Sequence, residues 1–343
     1  MWRSVVAATA AAFAIFANSA TANVYLSPDG SDSNPCTEAD PCRTMERGEA
    51  DAAQGQTVWM RPGTYGAVGH YTVLSKPDVT YSGYPNGAER PVLHGKFKLD
   101  GAGTQLRLVV VDGPTGDVGG NAGCDAHPGE SVLIDMAGNN TRVNYSEVKN
   151  SYGNAGIYVS GTPSGIQIDH DFIHDNGGFG VCGTGLENGQ HGIYFHGGSG
   201  SITDNKIVHN WTRGVQLYDE PHDVVVAANT IVWNGRAGII HDTSTGGGNV
   251  LVDNIVAGNA WNGQGGIYYL SGGLPIVAHN LLWHNGDADL IDVTCFACVR
   301  TSPSFVGIDI DSPPAPLSVY RRWTEEEVRS AGINLNDAIL ALG

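Results

Sequence analysis

The sequence predicts an all-β chain wound as a parallel β-helix, a solenoid of three-strand coils with a short helix capping its N-terminal end. Three observations predict it. A unit opening on glycine recurs at Gly156-Ile157-Tyr158-Val159, Gly192-Ile193-Tyr194-Phe195, Gly214-Val215-Gln216-Leu217, Gly238-Ile239-Ile240-His241 and Gly266-Ile267-Tyr268-Tyr269. Asn or Asp pairs five residues apart run in register with it, at Asp171/Asn176, Asn205/Asn210, Asn229/Asn234, Asn254/Asn259 and Asn280/Asn285. Their first members are 34, 24, 25 and 26 residues apart, and the long step holds an insertion, 181–190. A period in the mid-twenties with β-rich units excludes a propeller blade, which needs about 40–45 residues, and the dense leucine pattern of a leucine-rich repeat is missing. The 48 glycines have no three-residue period, which excludes collagen.

Each coil is read as three strands. In one turn these are 224–226, with Asn229 at the bend; 231–232, ended by Asn234; and 238–241, followed by a loop over 243–249. Asn tolerates the left-handed backbone of a tight bend. Stacked Asn side chains also hydrogen-bond along the axis. The repeat is plain over 144–290, and coils are assigned to 70–292. Upstream, strands are expected at 79–81, 91–94, 106–111 and 132–135, with a long loop over 113–130. Residues 24–68 form the N-terminal cap: strands at 24–27 and 57–60, an amphipathic helix over 44–53, and a turn at 61–65. The helix covers the first coil, whose open edge otherwise invites aggregation. Residues 293–343 form a C-terminal cap with a helical stretch over 323–342, Thr324 capping it. The whole of 23–343 is one domain.

Residues 1–22 read as a secretory signal, with Arg3 in the n-region, an apolar 5–17 and a small-residue site at 20–22. The apolar run is shorter than the ~20 residues that span a bilayer. A secreted or periplasmic monomer with no membrane span is expected. The net charge of −17 excludes a nucleic-acid partner. Six cysteines in an exported chain point to disulfides, with proximity pairing Cys36 with Cys42 and Cys295 with Cys298, and leaving Cys124 with Cys182. A zinc site at Cys295/Cys298 is the alternative.

These features resemble the right-handed parallel β-helix proteins of the pectate-lyase-like superfamily over most of the chain. The carriers are Val24-Tyr25-Leu26-Ser27-Pro28-Asp29-Gly30, Arg61-Pro62-Gly63-Thr64-Tyr65, and the Gly-Ile units with their Asn bends. No match to the catalytic motifs of polygalacturonases or calcium-dependent pectate lyases is found. The stretch Tyr218-Asp219-Glu220-Pro221-His222-Asp223 is similar to the Asp-Pro-His-Glu stretch of mannuronan epimerases, in a different order and register. The resemblance implies a polysaccharide substrate bound on the Gly-Ile strands and their flanking loops.

Strand alternation then selects the site. With Ile193, Phe195, Val215, Leu217 and Ile239 inward, His196, Tyr218 and Asp242 line one outward column. Tyr158, Tyr194 and Gln216 line the next. Ile240 also points outward, and His241 falls inside, as a hydrogen-bonded core histidine or on a bulge. His191 and Arg213 precede the key glycines and edge the face, and Asp219, Glu220 and His222 wall it. Three chemistries fit. In β-elimination on a uronic-acid glycan, the favoured reading, His196 is base, Tyr218 acid and Arg213 the carboxylate holder. Hydrolysis would pair Asp219 or Glu220 with Asp242. The same acids suit Ca²⁺, although the sequence does not require a cofactor. The third is glycan binding alone, through the aromatic face.

Overall fold

The computed structural model describes residues 23–85, 89–113, 132–151, 153–177, 190–260 and 263–303. The expected signal segment 1–22, most of the 113–130 loop, the insertion through residue 189, the Cys124–Cys182 pairing and the 323–342 helix lie outside them.

Among the described residues, twenty-four strands form one continuous sheet wound into three parallel ladders. The first runs from Val24–Leu26 through Thr57–Met60, Thr80–Gly83, Gln105–Arg107, Arg142–Asn144 and Ile166–Asp169. It continues through the second halves of His191–Thr203 and Val215–Ala227 to Val250–Val252 and Ile276–Ala278. The second links the first halves of Gly63–Leu74 and Pro91–Leu99 to Val110–Asp112, Glu147–Lys149, Phe172–His174 and Lys206–Val208, ending at Leu281–Trp283. The third takes the remaining halves of Gly63–Leu74 and Pro91–Leu99, then Val132–Met136, Ala155–Val159, the first halves of His191–Thr203 and Val215–Ala227, Ile239–Thr243, Gly265–Ser271 and Ala288–Ile291. This last ladder carries the Gly-Ile units.

The interior is a set of apolar stacks. Tyr81, Leu106, Val143, Ile168, Ile202, Val226, Leu251 and Val277 are register partners and all are buried. Each such side chain contributes about 1.5–3 kcal/mol on burial.

Three elements differ from the sequence reading. The expected turn at 61–65 instead leads into the 12-residue strand Gly63–Leu74. The strand expected at 106–111 is split by left-handed Leu108 (φ 55°) into Gln105–Arg107 and Val110–Asp112. In the coils of His191–Thr203 and Val215–Ala227 the chain passes from the third ladder to the first as one continuous strand, turning the corner where Gly198, Asp219 and Asp223 are left-handed.

The Asn bends work differently from the expectation. The left-handed residue is the one before each Asn: Asp204, His209, Ala228, Trp233, Asp253, His279 and His284. The Asn itself turns inward and is buried. In the first column Asn205, Asn229 and Asn254 each donate N–H and Nδ2 to the Oδ1 of the next Asn, at 2.9–3.0 Å. Nδ2 also reaches back to a carbonyl of the preceding coil, as from Asn229 to Ile202 O at 2.8 Å. A second ladder, Asn176-Asn210-Asn234-Asn259-Asn285, repeats this and ends on Asp289 Oδ1. It also explains the recurring glycine. A Cβ on Gly192 would lie 2.8 Å from Asn210 Nδ2, and one on Gly238 3.0 Å from Asn259 Nδ2.

Asp171 stands where the Asn side chains of the first column begin. Its Oδ1 accepts from Ser146 N–H at 2.7 Å, as an Asn Oδ1 does, so Oδ2 takes the place of Nδ2 and finds no partner. Burial pushes this carboxyl well above its usual range. Protonated, it donates as asparagine would. Its folded-state pKa lies above the unfolded value, so it detracts increasingly from stability as pH rises from about 4. Asp171→Asn is therefore expected to raise Tm at pH 7 by about 2–4 °C, with the gain vanishing toward pH 4 in a thermal-melt series. An equal gain at both pH values would mean that Asp171 does not titrate.

At the N-terminal end, the helix Met45–Asp51 is capped by Thr44, whose Oγ1 accepts from Arg47 N–H at 3.2 Å. Met45 and Gly48 are its buried face, and a Cβ on Gly48 would touch Leu26 and Val58. Cys36–Cys42 and Cys295–Cys298 are joined as disulfides, the pairings expected from proximity.

Candidate active site

The third ladder brings the predicted columns together. Tyr158 pairs with Tyr194 and Tyr194 with Gln216. Tyr218 pairs with Asp242, and His196 follows Phe195, which pairs with Leu217. The His196 and Tyr218 rings are 6.3 Å apart at 70°. Tyr194 lies 5.2 Å from Tyr158, 5.9 Å from His196 and 6.1 Å from Tyr218. Tyr218 is 38% exposed, and His196, Tyr158 and Tyr194 are half-buried. Burial raises the Tyr158 and Tyr194 hydroxyls above their ordinary range, Tyr194 well above it. Both remain protonated and serve as donors and a sugar-facing surface.

A bulge shapes the next rung. Phe195/Gly197 oppose Leu217/Glu220, and the extra residue is absorbed by Asp219 at φ 83°. Asp219 accepts from the Ser244 hydroxyl, and Asp242 Oδ1 from Ser271 Oγ at 2.8 Å. Glu220 and His222 are exposed beside them, with His222 Nδ1 3.2 Å from Glu220 O. Ile240 takes an outward register position beside Gln216 but is buried.

Arg213 is placed differently from the expectation. It is only 6% exposed. Its Nη1 donates to Gln216 Oε1 at 2.8 Å and its Nε to Gln264 Oε1 at 3.3 Å. Burial lowers its pKa to about 10. A guanidinium so enclosed holds Gln216 rather than presenting a bidentate fork to solvent. His191 also lies beneath the surface, 1% exposed, with Nδ1 2.7 Å from Thr212 Oγ1 and its ring edge-on to Tyr194. His241 is a core histidine: Nε2 meets Asn249 Nδ2 at 3.0 Å and Nδ1 meets Ser271 O at 3.3 Å. Burial lowers its pKa, which favours the neutral ring.

Five other histidines belong to the first two ladders and their bends. His170, His209, His279 and His284 are left-handed bend residues. His174 is buried between Asp175 (2.7 Å) and Glu147 (3.0 Å). Burial opposes its charge, but these two hydrogen bonds prevail and raise it to about 9.

The sequence reading missed the N-terminal end of the face. Lys96 and Lys98 point outward from Pro91–Leu99, Lys98 pairs with Asp135, and Asp135 pairs with Tyr158. Asp135 Oδ1 accepts from Ser160 Oγ at 2.5 Å. The alternation of Lys96-Phe97-Lys98 was the available signal. Among the described residues, the one close group of metal-type ligands is Cys36, Cys42 and Asp51, and its two sulfurs are joined to each other.

Matches to the family model of the right-handed β-helix region cover residues 123–281 and 191–310, together more than half of the chain. The chain belongs to the right-handed β-helix family. A Bacillus subtilis (strain 168) protein, uncharacterized protein YwoF, is 30% identical over 227 residues, which is 63% of this chain. The match spans 42% of that relative's length. Among solved structures, XylC in complex with xylose aligns over 80% of this chain and 67% of its own, at TM-score 0.55 and 13% identity. Pectate lyase Pel9A aligns over 84% and 71%, at TM-score 0.54 and 14% identity. These likenesses show the fold, a right-handed parallel β-helix. No helix among the described residues is long and apolar enough to cross a membrane.

Proposed function

We propose that this right-handed β-helix binds an acidic polysaccharide on its third ladder and cleaves it by β-elimination. The observation that carries the reading is His196 beside Tyr218 on adjacent coils, both reachable from solvent, with Tyr158 and Tyr194 next to them. Imidazole suits proton abstraction near neutral pH. His196 takes the proton from C5 of a uronate unit. The C5–H electron pair forms the C4–C5 double bond as the C4–O bond breaks. Tyr218 gives its proton to the departing oxygen, and the pair resets by returning the His196 proton through solvent. Gln216, placed in the outward column by alternation, is only 7% exposed, and its Oε1 accepts from Arg213 Nη1. The two therefore lie beneath the sugar-facing surface. Arg213 acts as a positioning residue for the strand that presents Tyr218.

Hydrolysis is less well supported, because Asp219 and Asp242 are each engaged by a serine hydroxyl. The two disulfides support export to an oxidising compartment.

Incubation with polygalacturonate, alginate and glucuronan is expected to raise ultraviolet absorbance from a conjugated unsaturated uronide on at least one polymer, in step with new reducing ends. Reducing ends without that absorbance would replace elimination with hydrolysis. Binding without either would leave a glycan-binding face.

A further inference from the structure

A net charge of −17 repels an anionic polymer from most of the surface. Arg213 is enclosed and does not offset this. The third ladder carries cations elsewhere. Lys96 and Lys98, two of the chain's five lysines, leave the same strand on the same side. Tyr71 pairs with Lys96 and Val73 with Lys98, and both partners are open to solvent, Tyr71 at 46%. Lys96 Nζ lies 5.1 Å from the Tyr71 ring centroid.

Both ammonium groups can be lent to a ligand at little cost. Lys96 is 3.4 Å from Asp135 Oδ2, a loose pair, and Asp135 keeps Ser160 Oγ on its other oxygen if Lys96 swings away. Lys98 is paired at 2.8 Å with Asp100, whose side chain is 44% exposed, and such surface pairs contribute about 0–1 kcal/mol. The row is continuous with the candidate active site: Lys98 pairs with Asp135, Asp135 with Tyr158, and Tyr158 with Tyr194. Lys96 lies three rungs from His196 and four residues off its register, about 14 Å along the axis and about 13 Å across it.

We propose that Lys96, Lys98 and Tyr71 form a remote subsite for a carboxylate-bearing sugar unit, with the sugar face on Tyr71 and its carboxylate on the two ammonium groups. The subsite makes the protein selective for uronate oligomers long enough to reach from it to His196. It rests on the reading of this ladder as a glycan face but not on elimination taking place there.

Binding of polygalacturonate, alginate and glucuronan oligomers, and of methyl-esterified polygalacturonate, would be measured by calorimetry at low and high salt. The Lys96→Gln/Lys98→Gln double variant is expected to bind the acidic ligand at least tenfold more weakly than the wild type, with a shallower salt dependence. Its affinity for the esterified polymer should be unchanged. Tyr71→Ala should weaken both. Far-UV circular dichroism checks that the variants keep the coil. Unchanged acidic-oligomer affinity in the double variant, or no acidic-oligomer binding by the wild type, overturns the subsite. If the lysine effect appears with no unsaturated product from the wild type, elimination falls and the subsite stands. If product forms but the lysines do not matter, the subsite alone falls.

Discussion

His196→Ala is expected to lower the rate of unsaturated-product formation by about 10²–10⁴-fold, the usual worth of a positioned acid or base. Tyr218→Phe should fall in the same range. The double variant should be little worse than either single one, because the two groups act in one proton-transfer sequence. The fold should tolerate both changes. His196 points outward and is half-buried, and Tyr218 is 38% exposed. Losses of stability within about 0.5 kcal/mol are expected, as for surface substitutions away from special features. Initial rates of absorbance growth, with denaturant midpoints measured on the same preparations, separate the two effects. A fully active His196→Ala would move the base to another side chain, while an active Tyr218→Phe would leave solvent as the proton donor to the leaving oxygen.

The register of the later coils was legible because the inward asparagines mark it. The earlier coils were opaque for a related reason. Ser146 and Ser151 take the rungs above Asp171 and Asn176, offering backbone N–H groups to those side chains. A serine in that place completes the hydrogen bond without spelling out the repeat. Gly95 misled in another way. It reads as the end of a strand at His94, yet at φ 112° it carries the strand Pro91–Leu99 around a corner from the second ladder to the third. Lys96 and Lys98 were lost with that reading. Alternation sufficed for the neighbours Tyr158, Tyr194, His196 and Tyr218, since side-chain direction in a strand is a local property. The burial of Arg213 was not local: one partner, Gln264, is 51 residues away.

Asn234→Leu is expected to cost about 4–6 kcal/mol, a large share of the 5–15 kcal/mol that stabilises a folded protein. The two side chains are similar in size, so the loss is one of partners rather than of volume. Asn234 is fully buried. Its Oδ1 accepts from Asn210 N–H at 3.0 Å and Nδ2 at 2.9 Å, and its Nδ2 donates to Ile207 O at 3.1 Å and Asn259 Oδ1 at 2.9 Å. Leucine leaves the Asn210 N–H and the Ile207 carbonyl buried without these partners, at about 1–3 kcal/mol each. The lesion also reaches the site. Asn234 Nδ2 would lie 3.0 Å from a Cβ on Gly214, so the two pack closely, and Gly214 leads into the strand that presents Gln216 and Tyr218. The leucine methyl that replaces Nδ2 cannot approach as closely as the amide nitrogen does, so the strand shifts slightly relative to His196. Urea midpoints should therefore fall together with product formation, even where the variant remains folded. A loss under about 1 kcal/mol would mean that the apolar stacks hold the bends in place. The ladder would then set the register of the strands without supplying their stability.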